Sequence, residues 1–435
     1  MSDALTTSRE QQKRRLKRLL IDTDRLAADG RGAEHRQDGQ RTDGQDGQND
    51  RPVRRMPHSV RIAVLVVLLL LAFGAFFYVT HVKSTSYLTV WEKELNANAQ
   101  QTESTLDFLT LGKGVIRYSK DGAAYYDQKG AAIWERSYQM NDPMASASSE
   151  YAVIADQGGN SIYIFSKSAN TGVATAVLPV MKAVVADTGV VYAVLRDKSA
   201  EYITAFRSDG SPIDLSVKSV ITGDGMPIDL AVSPDGTQLV TAYLSIADGQ
   251  PESKVVFRNF GDVGQNADAR RIVGGFSDEF AGHLAARVNF SDNSTAQAFY
   301  DGGIAFFSTK VLTSPALLVN VPFEQRMRSI ACGTRYVAVI LEQEEGDAPF
   351  LLQIYDTKGK KQGEVPIAYS YTGFEMQGDR CLVYSETAIH IYRPDGTERA
   401  ALDAAEMQPL KVNATSLPWE YLVSGGGKLY RIRLN

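Results

Sequence analysis

Two cysteines, five histidines and a scatter of carboxylates are the groups through which this 435-residue chain could do chemistry. Metal binding needs such ligands at short, fixed spacings. The histidines beyond the first 80 residues, His81, His283 and His390, stand far apart, with no Cys or paired carboxylates beside them. His390 lies in the apolar run AIHIY and reads as a packed strand residue. The acidic stretch EQEEGD (342–347) has charge enough for calcium but lacks EF-hand spacing, so it reads as a solvated hairpin tip. Cys332, in SIACGTRYVAVI, and Cys381, in DRCLVYSE, lie in apolar strand-like surroundings. They read as two small buried residues, with a bridge between neighbouring repeats as the alternative. Two cysteines rule out a disulfide-rich scaffold. No GxSxG, Walker or Rossmann pattern occurs. These residues therefore predict no catalytic, metal or cofactor site.

The elements that organise the chain are plainer. Residues 62–80, from Ile62 to Thr80, read IAVLVVLLLLAFGAFFYVT, without one charged residue or histidine. As a helix this run is about 28 Å long, close to the ~30 Å hydrocarbon thickness of a bilayer. It reads as an uncleaved signal-anchor, a single transmembrane helix. A cleaved signal peptide is disfavoured by the 61 residues before it and the missing small-x-small site. The preceding segment carries 14 Lys/Arg against 10 Asp/Glu, and Arg51, Arg54, Arg55 and Arg61 crowd the start of the run. The positive-inside rule places residues 1–61 in the cytoplasm and the large C-terminal domain outside the cytoplasmic membrane. The remainder of the chain holds 32 Lys/Arg and 41 Asp/Glu, an acidic balance that argues against nucleic acid as a partner.

Within the tail, EQQKRRLKRLLIDTDRL (10–26) is a short basic amphipathic helix. It suits an anionic leaflet or a partner, or is only a solvated helix that reinforces orientation. RQDGQRTDGQDGQND, which follows, has no apolar residue and is expected to be disordered.

From residue 105 onward the chain repeats a unit of roughly 35–45 residues, made of strands and tight turns. Hairpins such as YAVIADQGGNSIYIFS and RCLVYSETAIHIYRPDG recur eight times by count, a seven-membered ring being the alternative. DG, GG, GN and KG pairs supply the turns. Many strands are apolar on both faces: in SIYIFS, Ile162 and Ile164 point one way, and Tyr163 and Phe165 the other. Such strands need cover on both sides, which stacked blades provide and a sandwich with one polar face does not. The expected fold is all-β, an eight-bladed β-propeller over residues 105–435. Residues 81–104 form a stalk with an orphan strand, YLTVWEKEL. The last unit lacks a fourth strand, and this orphan would complete it and close the ring.

The first strand of each blade should line a central channel. Register places Lys182, Asp229, Arg287, Arg328 and Glu375 there as binding candidates, against ordinary water-filled lining.

GAAYYDQKGAAIWERSY (122–138) resembles the repeat of pyrroloquinoline-quinone-type propellers, and IDLAVSPDGTQLVTAYL (228–244) resembles the SPDG repeat of WD40-like and Tol-type propellers. With tail, span and outer domain together, the chain resembles uncharacterised membrane-anchored propeller proteins of Gram-positive Firmicutes, grouped as a domain of unknown function. That resemblance implies the fold for 87–435 and no activity. Quinoprotein dehydrogenases use vicinal cysteines and a Trp platform, whereas here the cysteines are isolated and the tryptophans are Trp91, Trp134 and Trp419 alone. The sialidase Asp-box spacing is absent. The function expected is a membrane-tethered, non-enzymatic protein-interaction scaffold of the cell envelope. The rivals are a single-pass receptor for an envelope-derived ligand and an unrecognised hydrolase.

Overall fold

The computed structural model describes residues 62, 64–71, 73–74, 83–95, 106–168, 170–247, 249–267 and 270–435. The chain divides after Ala72 into two units. In the first, residues 62 and 64–71 are helical, and every large apolar side chain among them is exposed, on all faces of the helix. Among the described residues no helix is long and apolar enough to cross a membrane. The rest of the expected 62–80 span, in large part, and the whole 1–61 tail lie outside the described residues.

The second unit holds eight four-stranded antiparallel sheets. Seven are consecutive meanders: blade 1 (107–137), blade 2 (143–175), blade 3 (180–220), blade 4 (226–276), blade 5 (285–322), blade 6 (327–367) and blade 7 (373–403). Blade 8 takes three strands from 409–434 and its outer strand, Tyr87–Glu94, from the other end of the propeller. The ring is thus the eight-bladed propeller that the repeat count implies. Seven blades do not account for the pairing.

The orphan strand runs antiparallel to Lys428–Leu434, from Tyr87 opposite Leu434 to Glu94 opposite Lys428. Backbone bonds from Leu95 to Gly427 (3.0 Å) and from Asn435 to Ser86 (3.2 Å) fasten its two ends. Just before it, Ser84 forms a parallel bridge with Ala400 of blade 7. Lys83 pairs with Glu398 of the same blade, whose other oxygen lies 2.8 Å from Nδ1 of His390. The short segment 83–94 therefore engages both blades 7 and 8. Buried Glu420 anchors the terminal strand from its neighbour, with Arg431 at 2.5 Å and Arg433 at 2.7 Å.

Apolar cover on both faces is what the strands receive. Ile162 and Ile164 pack toward blade 3, beside Val191 and Leu195. Phe165 of the same strand packs toward blade 1 with Leu111 and Ile116, and Tyr163 packs against that cluster. Trp134 stacks on Phe165 at 4.5 Å and donates to the Ser166 carbonyl at 2.9 Å. Across the ring each such seam is a slice of core, and burial of each large side chain contributes roughly 1.5–3 kcal/mol.

The Asp-Gly turns have two jobs. The carboxylate caps the turn, as Asp209 Oδ1 accepts from Ser211 N (2.8 Å) and Asp395 Oδ1 from Thr397 N (2.9 Å). The glycine takes a positive φ and touches the preceding blade. Gly210 (φ 86°) leaves no room for a Cβ, which would fall 2.3 Å from the Val173 carbonyl oxygen. A side chain here would both strain the backbone and wedge blades 2 and 3 apart.

Removing the closing strand leaves Lys428–Leu434 with an unpaired edge, which templates association. A chain trimmed to begin at residue 105 should self-associate in sedimentation or light-scattering measurements, while one beginning at Ser84 stays monomeric. Equal monomer content and equal stability would show that the closure is dispensable.

Candidate functional site

The first strands of the blades converge around the axis. Five of them carry a β-bulge near the start of the ladder, at Met181, Ile228, Ala286, Arg328 and Leu410. A bulge sets two residues against one and re-aims the side chain that follows. The residues after it are Lys182, Asp229, Arg287, Ser329 and Lys411.

Three of the five sequence-read candidates, Lys182, Asp229 and Glu375, belong to struts. Asp229 is buried, with 4% of its surface exposed. It pairs with Lys182 of blade 3 through one oxygen and accepts the Val288 N–H of blade 5 at 2.8 Å through the other. One carboxylate thus joins blades 3, 4 and 5. Glu375 of blade 7 does the same at the other side. It meets Lys411 of blade 8 at 2.6 Å and accepts from Tyr384 (2.9 Å), Gln377 (2.7 Å) and, at 3.4 Å, Thr110 of blade 1. Burial, and then the Glu375 carboxylate, push the Tyr384 hydroxyl well above the ordinary tyrosine range. Asn413 extends the network by donating to the Gly114 carbonyl at 2.7 Å. Blades 7, 8 and 1 are stitched together by these bonds, so neither Asp229 nor Glu375 is free channel lining.

The other two candidates, Arg287 and Arg328, are brought together. Neighbouring first strands approach one another closely around the ring except between blades 5 and 6. There a cavity of about 740 Å³ opens among blades 5, 6 and 7, at the end of the channel where these strands begin. Arg287 comes from blade 5, Arg326 and Arg328 from the start of blade 6, and Tyr371 and Phe374 from the start of blade 7. Ile330, Met327 and Phe299 add apolar surface. Arg328 is held by Glu342 of its own blade at 3.1 Å and lies over the Phe350 ring at 5.1 Å. Arg326 reaches the same carboxylate at 3.8 Å. Ser329 and Tyr371 share a hydrogen bond of 2.7 Å across the blade 6–7 seam. Asp301 also lines the cavity and is engaged by His283 Nδ1 at 2.8 Å and Leu284 N at 3.2 Å. Arg287 has no ion-pair partner among the described residues.

The sequence reading missed Arg326, Ser329, Tyr371, Phe374 and Lys411. Lys411 was within reach, because it holds the same post-bulge place as Lys182, Asp229 and Arg287. Tyr371 and Phe374 were not, because only the ring's geometry lays blade 7 beside the blade 5–6 gap.

The cysteines are free thiols, Cys381 fully buried and Cys332 partly so. Burial raises both, Cys332 to about 12, so neither is a thiolate at neutral pH. His390 is the packed strand histidine expected, stacked on Tyr369 at 3.8 Å. His81 lies outside the described residues. Among these residues no group of three or more His, Cys, Asp or Glu is placed to hold a metal ion.

Residues 81–434 match the family of unknown function DUF5711. The chain belongs to this family. No curated protein matches it. Among solved structures it is similar to BamB from Moraxella catarrhalis at 12% identity and a TM-score of 0.49, covering 80% of this chain and 100% of that one. It is also similar to Chaetomium thermophilum Sqt1, solved bound to the N-terminus of ribosomal protein L10. There the identity is 11% and the TM-score 0.47, over 80% and 99% of the two chains. The WD40 domain of Neurospora crassa Pan2 gives 8% and 0.42, over 82% and 97%. For this DUF5711 chain the propeller assignment stands on its own strand pairing.

The struts and the cavity arginines should respond differently to substitution. Asp229→Ala orphans the buried Val288 N–H and should cost about 2–3 kcal/mol of stability in urea melts, and Asp229→Asn, which keeps an acceptor, about half that. Arg287→Ala, at an exposed and unpaired site, should stay within about 0.5 kcal/mol of the parent. Equal losses at the two positions would contradict this division.

Proposed function

We propose that this chain is a non-enzymatic protein-interaction scaffold of the cell envelope. The apolar segment 62–80 tethers it to the cytoplasmic membrane, and the propeller stands outside. The observation that carries the binding reading is the cavity among blades 5, 6 and 7. Its surface combines arginines, tyrosine, phenylalanine and methionine, the residue types enriched where protein partners are gripped. Its walls belong to three blades of a closed ring, so the shape is fixed before a partner arrives. Fixed walls spare the ordering cost that a loop-built site incurs on binding.

Tethering is supported by the uncharged length of the run, by its Arg-rich leading flank and by apolar side chains exposed on every described face of the helix. A helix apolar all round has no water-soluble face to present.

Two measurements test the proposal. Protease added to intact protoplasts should remove the propeller and spare a short N-terminal fragment. A C-terminus protected throughout would overturn the topology. A photo-crosslinking amino acid placed at Tyr371 in the full chain should trap a protein in the native cell. Failure to trap any protein there, with the propeller folded, would overturn the scaffold reading at this site.

A further inference from the structure

At two places in this ring a first-strand carboxylate ties neighbouring blades together, and at the blade 5–6 seam the first strands present cations instead. Asp229 sits between blades 3 and 5 and binds a lysine on one side and a backbone N–H on the other. Glu375 sits among blades 7, 8 and 1 and binds a lysine, a tyrosine and a glutamine. In both places a carboxylate on a first strand ties its neighbours together. Between blades 5 and 6 the first strands bring two cations to the cavity, Arg287 at the post-bulge place of blade 5 and Arg328 at the bulge of blade 6, one residue before Ser329. Among the described residues no carboxylate forms an ion pair across that gap. Glu342 engages Arg326 and Arg328 from within blade 6, and Asp301 is engaged by His283 and Leu284 N, so neither reaches across to pair with Arg287.

Resting on the scaffold reading, we propose that this cavity binds an acidic segment of the partner protein, with a partner carboxylate bridging Arg287 and Arg328 as Asp229 and Glu375 bridge blades elsewhere in the ring. The neighbouring apolar surface of Met327, Ile330 and Phe374 takes an aromatic or long apolar side chain of the same segment. Three features favour a peptide over a lone anion. The cavity volume, about 740 Å³, exceeds what one carboxylate needs. Arg326 stands at its edge with 83% of its side chain exposed, where it steers an approaching acidic chain. Apolar surface beside the arginines is of no use to a bare anion. A guanidinium binds a carboxylate through two parallel hydrogen bonds, so two arginines facing one gap make a geometrically specific site.

The test uses the full chain in detergent and a fluorescein-labelled peptide, Glu-Asp-Phe-Glu-Asp, read by anisotropy. The same measurement is made with Lys-Lys-Phe-Lys-Lys and Glu-Asp-Ser-Glu-Asp, and with benzoate as an unlabelled competitor. The acidic aromatic peptide should bind most tightly, and added salt should weaken it. Arg287→Glu and Arg328→Glu should each lower its affinity about tenfold or more. Phe374→Ala should erase its advantage over the serine peptide, while Arg287→Gln, a milder change, separates loss of charge from misfolding. Equal binding of the lysine peptide, or an acidic peptide indifferent to Arg287→Glu, would overturn the proposal. Benzoate matching the peptide in affinity would assign the site to a small anion and equally overturn it. A protein trapped at Tyr371 in cells, together with failure of every acidic peptide, would leave the scaffold reading standing and refute this inference alone.

Discussion

A ring of blades has no free edge only if the chain's two ends share its last sheet. Here the condition is met by Tyr87–Glu94 pairing with Lys428–Leu434. Every other seam depends on it. Blade faces are apolar on both sides, so each blade is stable only while both neighbours are in place. An opened blade 8 exposes its own faces and those of blades 7 and 1. The closing strand is reinforced at several points by unlike forces: the Glu420 ion pairs, the Ser84 bridge to blade 7, and the Glu375 network across the blade 7–8–1 seams. The apolar seams supply most of the stabilisation, and the polar contacts fix which blade sits against which. Buried polar groups can act in this way, since a register that leaves Asp229 or Glu375 unpaired carries a desolvation cost with nothing to offset it.

Closure also makes the cavity what it is. First strands draw together closely at seven seams of the ring and not at the eighth. These repeats are degenerate, and the gap lies between blades 5 and 6. The seam is not empty along its whole length. Phe299, Ile304 and Phe306 of blade 5 pack with Val337, Val339 and Leu341 of blade 6 away from the axis. The gap is confined to the first strands, where bulges at Ala286 and Arg328 turn Arg287 and Ser329 out of the regular ladder. A bulge costs ladder hydrogen bonds, and what it provides in return is side-chain aim.

The fold was legible because repetition shows in sequence. Eight hairpins with Asp-Gly or similar turns, strands apolar on both faces and one orphan strand leave little choice of architecture. Residues such as Ile162 and Phe165 declare by their alternation that two different surfaces must cover one strand. The functional residues were legible only in part. Lys182, Asp229, Arg287, Arg328 and Glu375 were found as charges on first strands, since a charge in such a strand is visible. Which of them are struts and which face open space was not visible, because that depends on what the neighbouring blades contribute. Asp229 is silenced by Lys182 and Val288, 47 residues before it and 59 after it respectively. Arg287 stays open because, among the described residues, no carboxylate forms an ion pair with it. Local sequence carries strand periodicity, but pairing across seams is a property of the closed ring.

The position of the closing strand has a mechanical consequence. Segment 83–94 follows directly on the apolar run, so under the proposed tethering a pull between membrane and partner enters the ring through this strand. The load meets an antiparallel pair seven registered residues long, and Tyr87, the first residue to feel it, lies opposite Leu434 near the chain's end. Force along such a strand loads its ladder bonds together rather than one at a time. Ahead of the ladder stand the Lys83–Glu398 ion pair and the Ser84 bridge, which pass part of the load to blade 7. Two adjacent blades thus share what one terminal strand would otherwise carry alone. The cavity lies among blades 5, 6 and 7, and the described stalk residues Lys83 and Ser84 engage blade 7. Under the proposed tethering, the stalk and the Tyr371 and Phe374 side of the cavity thus share one blade.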